Sequence, residues 1–393
     1  MRDKLKVLFL PTATSGVVWH RMFQFFKFMR EDPTMNPAMD KFDPDRATPY
    51  EWQFPTANRN AILGQIEKLV GFSQVVVMQY LLTDYGVAIT RGLKKIFPEK
   101  PIVVEIDDYC LEINHYSPAS KVYLPGNEAP ESVIAHIAEA DMLIVSTPYL
   151  KKLYTPYNKN IQIIRNCIDF DLWDKLVSKE KDTKRLRFGW VGAATHSEDL
   201  RFIEKPIERI LEKYPFVEFM FGGGTPGFLV KKHDRILSDN IWHNVYKYPQ
   251  SLKDRNVDIG LAPLLDNNFN RAKSNLRWLE YSALKIPTIC SKVGHFKDTL
   301  KTNDTAILCS EPDEWFEAMS LLIENETLRK QIGINAYNEV KKNFNIKVIS
   351  KKYTEILKGI YYDAGRTENK NKVDDARGRH KDCERHECCT SLK

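Results

Sequence analysis

The stretch NRAKSNLRWLEYSALKIPTIC, residues 270–290, predicts a helix that leads directly into a strand. Small and apolar side chains recur in it at the spacing of one helical face, namely Ala272, Leu276, Leu279 and Ala283. This periodicity predicts a helix over 272–284. Pro287 then ends the helical pattern, and the run 286–290 predicts a buried strand.

A second face of the predicted helix carries charge, because Lys273, Arg277 and Glu280 also step by four and three residues. Cations at a helix start fit a diphosphate, and a carboxylate, which accepts hydrogen bonds, suits the vicinal diol of a ribose. The groups expected at the diphosphate are Arg271, Lys273, Ser274 and Asn275. A surface ion pair between Arg277 and Glu280 explains the same spacing without a ligand, and the local pattern does not decide between the two.

Outward from this stretch, short apolar runs alternate with helical patterns along the chain. The runs lie at 6–10, 74–78, 101–106, 142–146, 161–166, 186–192, 217–223, 241–248, 258–264, 286–290 and 306–309. Strands that are apolar on both faces and separated by helices predict parallel sheets covered on two sides, and these are too many for one ordinary open sheet. The predicted fold class is therefore α/β, with two Rossmann-like, doubly wound parallel-sheet domains facing a cleft.

The polar stretch VSKEKDTKR, residues 177–185, is the natural boundary between the two domains. We predict a first domain over 1–176 and a second over 177–345. A helix at 346–362 is expected to return to the first domain. The remainder, 363–393, has almost no large apolar residues and mixed charge, which predicts a disordered tail.

The composition fits a soluble globular protein, with 393 residues, 43% hydrophobic and 28% charged. The net charge of +6 permits an anionic substrate, a membrane surface or nucleic acid, and selects none of them. No apolar run reaches the roughly 18–20 residues of a membrane helix, and the short run VLFL near the start ends at Pro11, which predicts a strand rather than a signal peptide. The seven cysteines do not form a disulfide framework, so we expect a reducing, cytoplasmic location.

Ligands of doubly wound sheets bind at the carboxyl ends of the strands. The run 186–192 is followed by AATHSEDL, in which small residues allow close backbone approach and a helix begins near Ser197. The run 217–223 is followed by the glycine-rich loop GTPG. We expect a shared ligand at Gly192, Thr195, His196, Gly223 and Tyr248. An ordinary turn with Ser197 as helix N-cap is the alternative for the first loop.

Five pieces of the chain, in the right order between residues 7 and 345, resemble the nucleotide-sugar glycosyltransferases of family 4. NRAKSNLRWLEYSALKIPTICS is similar to their donor-site segment, in the subset in which a Lys-Ser pair precedes the helix. GWVGAATHSEDL resembles the SGTPTH-x-x-D variant of the first loop of their second domain. The other three pieces resemble segments of their first domain: ADMLIVSTPYLKKLY with IQIIRNCIDFDLW, PIVVEIDDY and TSGVVWHRM.

The resemblance implies a GT-B fold and a retaining transfer of a sugar from a nucleotide diphosphate to a hydroxyl acceptor, with no metal or cofactor required. It implies that the first domain binds the acceptor, a glycan or lipid-linked glycan, with Gly16 and Arg21 on that side. The family's His-Asp pair after the fourth strand reads Asp107-Asp108 here. We expect one of these carboxylates to take the proton of the acceptor.

Three alternatives stay open on the sequence. Ala272 occupies the position of the first of two family glutamates, and Glu280 occupies the second. Because the first glutamate is absent, a non-catalytic nucleotide-sugar binder is one alternative. Transfer to modified DNA bases is less expected, because the Lys and Arg residues form no basic stripe. Tyr337 and Lys341 have the spacing of a nicotinamide-dependent enzyme, but PTATSG rather than a G-x-G-x-x-G loop follows the first strand.

Three further segments bear on partners. The aromatic helix 17–30 predicts core packing of the first domain, with peripheral contact to the inner face of a membrane as the alternative. Residues 32–60, rich in proline and aromatics, predict a long irregular loop that binds the acceptor. The tail segment HKDCERHECC matches no standard zinc spacing, so no metal site is predicted.

Overall fold

The computed structural model describes residues 4–11, 16–39, 59–81, 84–115, 117, 120–121, 128–181, 183–224, 227–230, 232–239 and 245–365. These residues form two separate six-stranded sheets, and every strand pairing within them is parallel. Helices cover both sheets. The predicted α/β class with two doubly wound sheets is confirmed.

The first sheet has the strand order β2-β1-β3-β4-β5-β6. Its strands are β1 (Leu5–Leu10), β2 (Met35–Met39), β3 (Val75–Gln79), β4 (Ile102–Ile106), β5 (Met142–Val145) and β6 (Ile161–Ile163). Every position of β3 and β4 is buried, as expected for central strands covered on both faces. Its helices are α1 (Gly16–Val18), α2 (Gln24–Met29), α3 (Arg59–Gly71), α4 (Asp84–Ile96), α5 (Glu128–Glu139), α6 (Pro148–Tyr154) and α7 (Phe170–Trp173).

The second sheet has the order β12-β11-β10-β7-β8-β9. Its strands are β7 (Leu186–Gly192), β8 (Val217–Gly223), β9 (Ile236–Asp239), β10 (Ile259–Ala262), β11 (Thr288–Ser291) and β12 (Ile307–Cys309). Its helices are α8 (Ser197–Phe202), α9 (Glu204–Lys213), α10 (Gly227–Val230), α11 (Tyr248–Asp254), α12 (Asn268–Ala272), α13 (Leu276–Ala283), α14 (Gly294–Thr299), α15 (Pro312–Glu324) and α16 (Glu326–Asn343).

A final helix at 346–365 crosses back to the first sheet. Tyr353 packs edge-on against Phe9 and Phe25, with ring centroids 6.5 and 5.0 Å away. The helix continues through residue 365, so it includes the first three residues of the predicted tail, 363–365. Residues 366–393, which include the Cys- and His-rich segment, lie outside the described residues.

Two strand predictions are wrong. The strand β2 lies in the segment that was predicted to be wholly irregular, and it contains Pro37. Its position at the sheet edge explains why a proline is tolerated, since one side of an edge strand donates no hydrogen bonds. Of the strand predicted at 241–248, residues 241–244 lie outside the described residues and the end is contradicted, because α11 begins at Tyr248; a strand lies earlier, at Ile236–Asp239. Residues 40–58 and 240–244 are outside the described part.

The helix predicted over 272–284 is wrong at its start. The chain forms α12 up to Ala272, leaves the helical conformation at Lys273 (φ −63°, ψ 147°), and begins α13 at Leu276. Lys273 therefore does not share a helical face with Glu280. The extended backbone at Lys273 instead turns this residue toward the first domain.

The helix predicted at 17–30 extends from Gly16 to Met29 and belongs to the core, as predicted, because Val18, Met22, Phe25 and Met29 are buried. A π-helical segment, Trp19–Phe23, interrupts it. Among the described residues, no helix is long and apolar enough to span a membrane. The four described cysteines, at 110, 167, 290 and 309, are buried free thiols.

Candidate active site

A cavity of about 410 Å³ opens between the two domains, at the carboxyl ends of β4, β7 and β8. The first domain contributes Asp107 and Asp108 to it, and the second contributes Lys273, Arg277 and Glu280. A smaller adjoining cavity of about 180 Å³ shares both aspartates, Lys273 and Arg277. Side chains from both domains thus converge on one space, as expected where the strands of doubly wound sheets end.

Lys273 lies in the break between α12 and α13 and reaches across the cleft. Its Nζ is 3.3 Å from Asp108 Oδ1 and 4.3 Å from the ring centre of Phe269. The Lys273 side chain is 19% exposed and that of Asp108 is 38% exposed. The pair is hydrated enough for an anionic ligand to replace Asp108 as the partner of the ammonium group.

Asp107 follows the last residue of β4 and lines both cavities. Burial raises the pKa of Asp107, and the neighbouring carboxylates of Asp108 and Glu105 raise it further, to about 8. Arg21 and Lys273 oppose this shift without cancelling it. A carboxyl group with a pKa near the working pH is suited to take and return a proton.

Glu280 lies deeper in the cleft, where it is held by two donors. Its Oε2 accepts hydrogen bonds from the Tyr248 hydroxyl at 3.0 Å and from the Arg277 guanidinium at 2.9 Å. The predicted pairing of Arg277 with Glu280 is therefore present, but it is inside the cavity rather than on the surface.

His20 of the first domain faces the same carboxylate, with Nε2 3.8 Å from Glu280 Oε1. Burial, together with Arg21 and Arg277, lowers the pKa of His20 to about 3, so the imidazole is neutral. Gln24 Nε2 lies 3.1 Å from His20 Nδ1 and can donate to it. That tautomer leaves the Nε2 hydrogen directed at Glu280.

His196 borders both cavities from the loop after β7. Its Nδ1 is 2.7 Å from Asp199 Oδ2, a carboxylate in the first turn of α8. Trp190 packs edge-on against the imidazole at a centroid distance of 6.1 Å. The ring is thereby fixed from two sides while it faces the cavity.

The backbone approaches closely where β7 and β8 end. Gly223 has φ +82°, and a Cβ atom there would lie 2.4 Å from the Gly192 carbonyl oxygen. Any other residue at 223 would clash with this oxygen as well as strain the backbone. The two glycines keep this side of the cavity free of side chains.

Eleven of the predicted site residues border the two cavities: Gly16, Asp107, Asp108, Gly192, Thr195, His196, Gly223, Tyr248, Lys273, Ser274 and Glu280. Three do not. Arg271 is on the exposed side of α12, with two hydrogen bonds to Asp266 at 2.6 and 3.0 Å. Asn275 is buried and bonds Thr299 at 3.4 Å.

Arg21 is the third, because it is completely buried beneath the cleft. It forms an ion pair with Glu105 and donates to the Ile164 carbonyl at 2.7 Å and to Asn166 Oδ1 at 2.8 Å. Asn166 in turn donates to Ser274 Oγ at 2.7 Å. This network connects the floor of the first domain to the Lys-Ser loop of the second.

Sequence reasoning missed His20, Trp190, Asp199 and Arg255. Asp199 has a detectable signal, since it follows His196 at the i, i+3 spacing of one helical turn. Arg255 borders the cavity and is held by Asp239 at 2.7 Å and Ser251 Oγ at 2.6 Å. Nothing local in the sequence marks Arg255 or His20, because their position depends on how the sheets face each other.

No group of three or more His, Cys, Asp or Glu side chains that could hold a metal ion occurs in the described part of the chain. The cavity is lined by two cationic side chains, Lys273 and Arg277, which are able to bind an anion.

Comparison with known proteins bears on the fold and on one segment of the second domain. Residues 236–354 match a family model described as "Glycosyl transferase-like". The search of curated proteins gives no match. Among solved structures, Anabaena HepE in complex with UDP and glucose is similar, with 12% sequence identity and a TM-score of 0.64 over 90% of this chain and 100% of that one.

Sucrose-phosphate synthase from Thermosynechococcus elongatus matches with 13% identity and a TM-score of 0.62, over 91% of this chain and 100% of that chain. The fold is GT-B. A putative UDP-N-acetylglucosamine 2-epimerase from Listeria monocytogenes also matches, with 11% identity and a TM-score of 0.57 over 92% and 98% of the two chains. The prediction of a GT-B fold is confirmed. The match of residues 236–354 supports the prediction that this protein is a glycosyltransferase.

Proposed function

We propose that this protein is a retaining glycosyltransferase of the family 4 type, in its Lys-Ser subset. It moves a sugar from a nucleotide-diphosphate donor to the hydroxyl of a glycan or lipid-linked glycan. The observation that carries the proposal is one interdomain cleft in which Lys273, Arg277 and Glu280 face Asp107 and Asp108.

The diphosphate of the donor is bound by Lys273 and Arg277. In the ligand-free cleft the Lys273 ammonium has Asp108 as its partner, 3.3 Å away. A phosphate oxygen offers the same ammonium a stronger, charge-assisted hydrogen bond. As the bond between the sugar and the phosphate breaks, its electron pair leaves with the diphosphate, and both cations stabilise the developing charge without a metal or cofactor.

The ribose hydroxyls are bound by Glu280. This carboxylate is kept in position by Tyr248 and Arg277, which occupy Oε2, while Oε1 has the longer contact to His20. An ionised carboxylate accepts hydrogen bonds and does not donate them, which complements a diol.

The acceptor enters from the first domain. Its hydroxyl oxygen forms the new bond to the anomeric carbon on the same face that the diphosphate leaves, as retention requires, and its proton passes to the Asp107 carboxylate. The burial and the like charges that raise the pKa of Asp107 make this carboxylate a stronger base than an ordinary aspartate. We place the protein in the cytoplasm, where the buried free thiols stay reduced, with peripheral membrane contact when the acceptor is lipid-linked.

The proposal is tested by incubating the protein with a panel of nucleotide sugars and measuring release of the nucleoside diphosphate. Release that increases with a glycan or lipid-linked acceptor, and a product whose anomeric configuration is retained by proton NMR, support it. An inverted product would contradict retention. No release with any donor would contradict the enzyme assignment.

A non-catalytic nucleotide-sugar binder is the second candidate. Its support is Ala272, which is fully buried, with its carbonyl accepting a hydrogen bond from Thr147 at 2.9 Å. No carboxylate therefore enters the cleft from that position. Binding of a nucleotide sugar without turnover in any acceptor, modified DNA included, would favour this candidate.

A further inference from the structure

Asp199 is a buried carboxylate whose two oxygens are fully engaged. It is 0% exposed, and its Oδ1 accepts hydrogen bonds from the Leu265 amide and from Asn270 Nδ2, both at 2.8 Å. Its Oδ2 lies 2.7 Å from His196 Nδ1. Such an arrangement is typical of a side chain that orients another one rather than contacting a ligand itself.

These contacts fix the tautomer of His196. An ionised carboxylate only accepts, so Nδ1 carries the hydrogen of this bond. The ring also borders both cavities, and no described residue is hydrogen-bonded to its Nε2. Nε2 is the ring nitrogen left to interact with a ligand in the cleft.

The charges around His196 come from three directions. Asp199 lies on its own helix, Lys273 and Arg277 face it from the α12–α13 segment, and Asp107 and Asp108 border the same cavities from the end of β4. Burial lowers the pKa of His196, and the two cations lower it further against the opposing effect of Asp199. Because the pKa is lowered from its ordinary value of about 6.5, the imidazole is neutral at pH 7, and Nε2 presents a lone pair.

A lone pair on Nε2 would repel a phosphate oxygen, whereas an imidazolium would bind it. A bound diphosphate neutralises the effect of Lys273 and Arg277 and adds negative charge beside the ring, both of which favour protonation. The carboxylate on the far side then stabilises the imidazolium.

We propose that Asp199 is a positioning residue that holds His196 ready to take up a proton when a nucleoside diphosphate binds. Protonated His196 donates from both ring nitrogens, through Nδ1–H to Asp199 and through Nε2–H to a diphosphate oxygen. The proton comes from solvent and returns there when the diphosphate leaves, so the Nε2–H bond is the only bond that forms and breaks. The inference rests on the proposed function, since it assigns the diphosphate to this part of the cleft.

The test is calorimetry of uridine diphosphate and of inorganic pyrophosphate, at pH 7.0, in buffers with different ionisation enthalpies. The dependence of the observed heat on the buffer gives the number of protons taken up. We expect clear uptake by the wild type, loss of that uptake in His196→Gln, and reduced uptake in Asp199→Asn. The Asp199→Asn variant should also bind about tenfold more weakly and recover affinity as the pH is lowered, because its imidazole protonates at a lower pH.

Three controls make the result specific. Glu198→Gln changes the neighbouring exposed carboxylate, which bonds Arg201 at 3.3 Å, and should behave as the wild type. His196→Gln leaves the bonds of Asp199 to Leu265 and Asn270 in place, so it keeps the test valid if Asp199→Asn folds poorly. Asp107→Asn is measured as well, because Asp107 titrates in the same cleft, and it should retain the uptake due to His196.

The outcomes distinguish a failure of the His196–Asp199 inference from a failure of the proposed function. Binding without proton uptake, or equal uptake in the wild type and His196→Gln, would overturn the role of the His196–Asp199 pair alone. If neither pyrophosphate nor any nucleoside diphosphate binds, the proposed function itself is overturned and this inference with it.

Discussion

Two ion pairs near the cleft differ in their exposure to solvent. Arg21 and Glu105 lie inside the first domain with side chains 0% and 1% exposed. Lys273 and Asp108 join the two domains with side chains 19% and 38% exposed. We call Arg21–Glu105 the sealed pair and Lys273–Asp108 the open pair. Their carboxylates, Glu105 in β4 and Asp108 after it, are only three residues apart in the chain.

The difference shows that a cation near the cleft is not necessarily a ligand for the substrate. Arg21 directs Nε to Glu105 and one terminal nitrogen to the Ile164 carbonyl and Asn166, and its complete burial keeps it out of the cleft. A buried pair is expensive to break, because the remaining partner would be an uncompensated charge. The open pair loses little when an anion takes the place of Asp108, so on the proposed function Lys273 would exchange Asp108 for the donor diphosphate.

Breaking the sealed pair should have the largest effect. We expect Arg21→Ala to lower the free energy of unfolding by about 3–5 kcal/mol, because Glu105 then remains buried without its partner. Urea unfolding of the ligand-free protein, followed by circular dichroism and tryptophan fluorescence, measures the loss.

The matched variant is the double substitution Arg21→Met with Glu105→Leu, which removes both charges. It should recover most of the lost stability, since no unpaired charge is left. Equal instability of the single and double variants would mean that the hydrogen bonds to Ile164 and Asn166, rather than the ion pair, hold this region.

Asp107 lies between Glu105 and Asp108 in the chain, and the charges of both ion pairs affect its pKa. Because its pKa is raised to about 8, the carboxyl is protonated at lower pH, and kcat/KM should rise with pH and level off above about 8. Asp107→Asn should lower kcat by about 10²-fold or more and abolish this rise. Rates of sugar transfer between pH 6 and 9.5 provide the measurement.

A substitution of Lys273 tests whether the pH dependence reports Asp107. Lys273 lowers the pKa of Asp107, so Lys273→Met should move the midpoint of the rise to higher pH. A midpoint that stays in place would show that the rise reports another group.

Loss of Lys273 should weaken donor binding and leave the fold intact. We expect Lys273→Ala to reduce the affinity for uridine diphosphate by about 1.5–3 kcal/mol, the usual value of a charge-assisted hydrogen bond. The free energy of unfolding should change by less than about 1 kcal/mol, since the pair with Asp108 is hydrated. Calorimetry and urea unfolding on the same preparation separate the two effects.

Arg271→Ala is the matched control, because Arg271 is two residues away but directed at Asp266 on the surface. Its affinity for uridine diphosphate should equal that of the wild type. A large loss there would show that Arg271 changes partner when the donor binds.

The smallest effect is expected from removing the tail. Truncation after Gly365 should leave the thermal midpoint and the transfer rate unchanged, because residues 366–393 contain too little apolar surface to offset the entropy of ordering. Truncation after Ile360 should destabilise the protein, since it removes Tyr361, whose hydroxyl accepts a hydrogen bond from Gln74 at 2.8 Å. Zinc-dependent stability that is lost with the tail would contradict the prediction.

The strands were the most predictable part of the molecule. Runs such as 74–78 and 101–106 are apolar at consecutive positions, which is how a strand covered on both faces appears in sequence. The strands β2 and β9 lie at the edges of their sheets, where the apolar pattern is weak, and sequence reasoning missed them.

The helix break at 273–275 was not predictable from local pattern. Ala272, Leu276, Leu279 and Ala283 keep helical spacing across the break, so periodicity gives no sign of it. The break is held by contacts from the other domain, since the Ala272 carbonyl accepts from Thr147 and Ser274 Oγ accepts from Asn166. Tertiary contacts override helix propensity here.

The sequence by itself determined the α/β class, the two domains, and the strand ends at which the cleft residues lie, because these follow from periodicity and from the order of elements along the chain. The tertiary structure alone decided which charged residues face the cleft. Arg21, Arg271 and Lys273 look alike in sequence. Arg21 is buried and paired with Glu105, whereas Arg271 is paired with Asp266 at the surface. Lys273 lies at a helix break and faces Asp108 across the cleft. The charge of a side chain is local, but its partner and its solvation depend on chain segments that are distant in sequence.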